Sequence, residues 1–285
     1  MKKFNVEGHE PSLLPDNMNF KLVWSDEFDG TELDTTKWDY RLHIMGKRHI
    51  TFQRDGVKLD GNSNAVFSIF EKDGEICSCQ IQTGYNYMDA PHTDEALFGG
   101  VFGGGGGNPG LVWPIGKLNE PKFLKKYGYF ECRCKLQKYN GWWSAFWLQA
   151  PAIGSTLNPE YSGVENDIME SFKPGKLIPH TNHYDGYGVD HKQVSTGGDF
   201  DISLDEYHTF GMLWTPEGYT FYVDGEQDGE MITAPVSHTP QFILLSTEVD
   251  GYRSSLYTAT DEARAAAKAG DTFVVDYVRV FDVVE

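Results

Sequence analysis

The sequence predicts an all-β chain folded as a two-sheet sandwich. Three observations carry that prediction. Short segments rich in β-branched and aromatic residues recur along the whole chain, turn signals separate them, and only one stretch has good helical composition. In order, the candidate strands are Phe20–Ser25, Ala65–Glu71, Cys77–Thr83, Gly128–Gln137, Ser144–Gln149, Val164–Phe172, Tyr207–Thr215, Tyr219–Val223, Gln241–Glu248 and Phe273–Asp282. Glu71-Lys72-Asp73-Gly74-Glu75 and Thr215-Pro216-Glu217-Gly218 read as hairpin turns, and Val223-Asp224-Gly225 ends a strand in the same way. The helical exception is Asp261–Ala269, rich in Ala, Glu, Arg and Lys.

The chain of 285 residues shows no repeat, charged tail or Pro/Ser-rich linker. A single domain over 1–285 is the simplest organisation, since β-sandwiches reach this size as one unit. The Gly-rich segment from about Tyr85 to Pro121 reads as an inserted loop. No Gly-Lys-Ser/Thr follows its glycines, so a phosphate cradle is a poor reading, and a loop beside a ligand groove is a better one.

A formal net charge of −18 repels phosphate backbones and anionic headgroups, so neither nucleic acid nor a membrane surface is an expected partner. A neutral ligand fits better. The aromatic load of 7 Trp, 15 Tyr and 18 Phe can both fill a core and line a groove that stacks on sugar faces. Met1-Lys2-Lys3 is not followed by an apolar stretch, which gives an expectation of either an intracellular chain or a processed secreted form. A monomer is expected. Cys77/Cys79 and Cys132/Cys134 form two Cys-x-Cys pairs, each on one strand face. Buried thiols, disulfides and a zinc site all stay open.

The most informative segment is Val164–Phe172, V-E-N-D-I-M-E-S-F. On a regular strand Glu165 and Asp167 share a face and Glu170 takes the other. One extra residue, a β-bulge near Ile168-Met169, brings Glu170 back to the face of the first two. Like charges buried together raise one another's pKa, so one carboxyl should hold a proton near neutrality. An ionised carboxylate beside a protonated one is what retaining glycoside hydrolysis requires. A calcium site and a solvated strand face are the alternative readings of the same spacing. In the strand before it, Trp143, Ala145 and Trp147 share a face that can floor a sugar groove, although either indole could instead fill the core. Trp142, Trp143 and Trp147 are all candidates for substrate contact.

These residues resemble glycoside hydrolase family 16, whose signature Glu-x-Asp-x-x-Glu stands here as Glu165-Asn166-Asp167-Ile168-Met169-Glu170. The resemblance covers most of the chain. It includes Trp24-Ser25-Asp26-Glu27-Phe28-Asp29-Gly30, Tyr127–Arg133 with Trp143–Leu148, Tyr207–Pro216 with Tyr219–Gly225, and Val275–Val280. It implies a concanavalin A-like jelly roll with a concave substrate cleft, acting as a retaining endo-glycosidase on a β-linked polysaccharide or oligosaccharide. Glu165 would be the nucleophile, Asp167 the assisting acid and Glu170 the general acid/base. His183 would be a cleft histidine, and Trp143 would line the negative subsites. No cofactor is implied for catalysis, but a structural calcium on the convex side is, held through Asp276 and through Glu27 by its carboxylate or only its backbone carbonyl.

Asn166 and Ser144 depart from the usual aliphatic and Pro, and Leu244–Arg253 departs from a Gly/Asn/Trp-rich stretch. These departures are expected to surround the cleft, which leaves β-glucan and β-galactan both open. A transglycosylase on the same scaffold and a non-catalytic lectin-like module are the rival functions.

Overall fold

The structure is a computed structural model that describes residues 1–44, 47–89, 118–252 and 257–284. Most of the Gly-rich insertion, 90–117, therefore lies outside the described residues.

Two antiparallel sheets face each other. One is ordered Lys192–Thr196, His180–Tyr184, Glu165–Glu170, Trp142–Gln149, Phe242–Val249, Gln80–Gln82, Asp39–Tyr40. The other runs Glu226–Ile232, Gly218–Val223, His208–Thr215, Gly128–Lys135, Thr272–Val284, Ala65–Ser68, Val57–Leu59. Thr272–Val284 pairs along one edge first with Ala65–Ser68 and then with Asn19–Asp26, so the last strand locks an early one in place.

The core is the layer between the sheets. Phe146, Leu148, Ile168, Met169, Ile243 and Leu245 from the first sheet meet Phe130, Phe210, Met212, Trp214, Phe221 and Val280 from the second. Burying each such side chain is worth roughly 1.5–3 kcal/mol, which is what selects the sandwich over separate sheets.

The helix forms over Asp261–Ala269, as composition predicts. The Thr260 side chain accepts from the Ala263 N–H at its start. Gly270 at φ +70° closes its end by donating to Ala266 and Ala267 carbonyls. The Asp73-Gly74 turn also forms, with both residues at positive φ between the strands Phe70–Lys72 and Glu75–Cys77.

Two expectations need correction. Ala65–Glu71 and Cys77–Thr83 are not single strands. Ala65–Ser68 belongs to the second sheet and Gln80–Gln82 to the first, while Phe70–Lys72 and Glu75–Cys77 form a separate ribbon between them. The strands His180–Tyr184, Lys192–Thr196 and Glu226–Ile232 were not predicted. Two of them, K-Q-V-S-T and E-Q-D-G-E-M-I, are outermost strands whose polar composition suits an exposed edge and hides the alternation.

The four cysteines are free and buried. Among the described residues they form no four-sulfur cluster. Burial pushes the Cys77 thiol up to about 11 and holds the Cys79 thiol higher still, so these are inert core groups.

Candidate active site

The strand carrying the acids begins just after Gly163, at φ +90°. A Cβ there would lie 2.1 Å from the Ala150 side chain, so only glycine lets the chain turn into the sheet at this point. The strand pairs with Trp142–Gln149 through Ala145↔Glu170, Phe146↔Met169, Trp147↔Asp167 and Leu148↔Asn166. Ile168 has no partner: the register shifts between Phe146 and Trp147. This is the bulge the acid spacing requires. Ile168 and Met169 both enter the core, and Glu170 returns to the face of Glu165 and Asp167. The bulged Ile168 carbonyl is not left orphaned. It accepts from Nδ1 of the buried His180 at 2.6 Å, whose ring stacks on Phe221 and whose Nε2 lies 3.2 Å from Asp228.

The three carboxylates open into a cavity of about 620 Å³, together with Trp143, Trp147, His183, Tyr187 and Glu248. Asp167 is 5% exposed, and burial, then the Glu165 charge, raises its pKa well above the usual carboxylate range. Glu170 is raised well above that range by burial first, then by Asp167 and Glu165. Glu165 is held from two sides. Gln149 Nε2 donates to its Oε2 at 2.8 Å, and the Tyr187 hydroxyl donates to the same oxygen. His183 Nε2 lies 3.2 Å from Asp167 Oδ2, and its Nδ1 lies 2.8 Å from His191 Nε2. His183 is the register partner of Glu165, which is why it reaches this site.

Trp143 and Trp147 face the cavity. Trp143 packs against Phe172, and Trp147 Nε1 donates to Ser246. Trp142 does not face it. With 1% exposure it points into the core and donates Nε1–H to Asp271, because strand alternation puts it opposite in face to Trp143. It is therefore no substrate-contact residue. The departures at Asn166 and Ser144 also lie away from the cleft. Asn166 is buried against Asn182 and Ser144 against Gln137.

At the expected calcium site the side-chain contacts leave Glu27 its backbone carbonyl as a ligand and set Asp276 in competition with an arginine. Glu27 is engaged by Arg279 through two bonds at 3.0 and 2.7 Å, and Asp276 by Arg133 at 2.5 Å, so both carboxylates already have cationic partners. Among the described residues the set whose ligand atoms converge, within 4.8 Å of one another, is Glu165, Asp167 and His183 in the cleft.

Sequence reasoning missed Gln149, Tyr187 and His191. Gln149 was within reach, because the face that carries Trp143, Ala145 and Trp147 arrives at it two residues on. Tyr187 and His191 lie between two strands, where no periodicity marks them.

A β-sandwich whose open cleft sets three carboxyls, two of them raised in pKa by burial, beside two indoles has the side chains that glycoside hydrolysis uses, and the family match makes it a glycoside hydrolase. The chain belongs to glycosyl hydrolases family 16, whose family model matches residues 115–279. It is 25% identical to the glucan endo-1,3-beta-glucosidase A1 of Niallia circulans over 91% of this chain, spanning 37% of that protein's length. It is 26% identical to a beta-glucanase of Rhodothermus marinus, over 94% of this chain and 87% of that one. The X-ray structure of the laminarinase from Rhodothermus marinus superposes with a TM-score of 0.64 at 22% identity, covering 94% of this chain and all (100%) of that one.

Proposed function

We propose that the protein is a retaining endo-hydrolase of a neutral β-glucan. The observation that carries the reading is the bulge that turns Glu165, Asp167 and Glu170 to one cavity wall, where burial keeps two of them protonatable beside the third. In the first step Glu170 gives its proton to the glycosidic oxygen while Glu165 attacks the anomeric carbon, forming a glycosyl ester and releasing the reducing-side product. In the second, Glu170 as carboxylate takes a proton from water. The water oxygen attacks the same carbon, and the bond electrons return to Glu165. Asp167, held neutral by burial and by the charge of Glu165, serves as the assisting acid between them. Trp143 and Trp147 supply apolar faces for sugar rings, and His183 orders Asp167.

Glucan is favoured over an anionic galactan by the cavity wall. It holds four carboxylates with Glu248 and, among the described residues, no Lys or Arg to receive a sulfate or uronate. The names of the two glucanase relatives point the same way, whereas a keratan-sulfate endo-1,4-beta-galactosidase of Sphingobacterium multivorum, 24% identical over 72% of this chain, keeps galactans in the test.

The test is turnover of laminarin, mixed-linkage glucan and sulfated and unsulfated galactans by wild type and Glu165→Gln, with product sizing and the anomer followed by NMR. Internal cleavage of a glucan with retained anomer, abolished in the variant, is expected. Equal behaviour of the two proteins would make this a lectin-like module, and transfer to added sugar in preference to water would make it a transglycosylase.

A further inference from the structure

Behind the acids lies a buried hydrogen-bond chain whose direction is set by its far end. Arg41, 3% exposed, is held by Asp89 at 3.1 Å, with its guanidinium 5.4 Å from the Trp147 ring. Arg41 Nη2 donates to Gln149 Oε1 at 3.1 Å, and Asn86 Nδ2 donates to the same oxygen at 2.6 Å. Two donors on Oε1 fix the amide's orientation, because a flipped amide would set its own NH₂ against them. Nε2 must then face Glu165 Oε2 and the Tyr187 hydroxyl, at 2.8 and 2.5 Å. Since that hydroxyl accepts from Gln149, its proton goes to Glu165. Burial, then the Glu165 charge, holds the Tyr187 phenol well above its ordinary pKa, so it stays a donor.

We propose that Gln149 and Tyr187 are positioning residues that hold Glu165 in its ionised form and promote its release from the glycosyl ester. The proposal rests on the assignment of Glu165 as nucleophile. Its logic is differential. Donors to a carboxylate stabilise the full negative charge more than the ester, where that charge is largely lost. When water attacks the anomeric carbon and the carbon–oxygen bond breaks, the electron pair returns to a carboxylate already met by two donors. The second step is therefore the one these residues accelerate. The charged and titratable groups around Glu165 are Asp167 and Glu170 on its own strand and His183 on the next. Tyr187 follows that strand, and Tyr87 and, through Gln149, Arg41 complete the set.

The experiment compares wild type, Tyr187→Phe, Gln149→Leu and Glu165→Gln on an aryl β-oligoglucoside with a good leaving group, with intact-mass analysis during turnover. For Tyr187→Phe, kcat should fall about 10- to 100-fold, the loss of one hydrogen bond to a charge. KM should fall in the same direction and a covalent glycosyl adduct should accumulate, while the acidic limb of kcat/KM moves to higher pH. Gln149→Leu should act in the same sense, and the double variant should lose less than the product of the two. A Tyr187→Phe variant with wild-type kcat and pH profile, or with reduced kcat but no adduct and no fall in KM, overturns the proposal. Should Gln149→Leu fail to fold, Tyr187→Phe decides alone, since it removes one hydroxyl from a part-exposed residue. Activity surviving in Glu165→Gln would overturn the nucleophile assignment, and the proposal with it, independently of either positioning variant.

Discussion

Asp167→Asn should stabilise the protein while disabling it, by an amount that depends on pH. Asp167 is nearly fully buried, and its ligand-side oxygen lies within 4.8 Å of that of Glu165. With both groups ionised, Coulomb's law at an effective dielectric of about 20 sets roughly 3 kcal/mol of repulsion between them. Partial solvent access to Glu165 reduces this to about 2–3 kcal/mol. The folded protein avoids that repulsion by keeping a proton, which raises the folded-state pKa of Asp167 above its unfolded value.

The sign follows. Between the unfolded and the folded pKa the unfolded chain binds fewer protons than the folded one, so stability falls as pH rises through that window. Asn carries no such charge, so the variant should match wild type near pH 4 and exceed it by about 2–3 kcal/mol above the window. For a domain of this size that is about 3–5 °C in Tm. Calorimetry or urea unfolding of both proteins from pH 4 to pH 8 measures it, with kcat recorded alongside. A wild type and variant whose stabilities run parallel over that range would refute the premise that Asp167 is desolvated against Glu165.

The two adjacent indoles should separate cleanly. Trp142→Ala should cost about 3–5 kcal/mol of stability, as a buried Trp does, whereas Trp143→Ala should leave Tm nearly unchanged and raise KM for the glucan about 10-fold, by steady-state kinetics and thermal shift. EDTA decides the calcium expectation: an unchanged Tm would leave Glu27 and Asp276 to Arg279 and Arg133, and a lowered Tm would place a cation on the Glu27 carbonyl and Asp276. Arg279→Met, which leaves the Glu27 carboxylate without that partner, should destabilise by about 3–5 kcal/mol in urea unfolding. His180→Phe keeps the stack on Phe221 but leaves the bulged Ile168 carbonyl unpaired. It should cost about 1–3 kcal/mol and lower kcat through the displaced Glu170, which paired unfolding and rate measurements would detect.

The reach of the sequence is visible in particular residues. Recurring β-branched and aromatic segments, the alternation along Trp142–Gln149 and the one-residue surplus between Asp167 and Glu170 are local properties of the chain, and from them came the all-β class, the candidate cleft face and the bulge. The capped helix at Asp261–Ala269 was equally local. Tertiary structure decided what depends on residues far apart in sequence. Arg41 meets Gln149 across 108 positions, and Arg279 reaches Glu27 across 252. Neither pairing has a period or a spacing that could announce it. Glu27 and Asp276 were named as metal ligands through the family resemblance alone, and only the tertiary structure set their carboxylates against Arg279 and Arg133. The acid segment itself stood in the sequence, but the burial and neighbouring charges that raise Asp167 and Glu170 exist only where the cleft wall is assembled around it. Desolvation and charge–charge distance are properties of the packed fold and not of the chain.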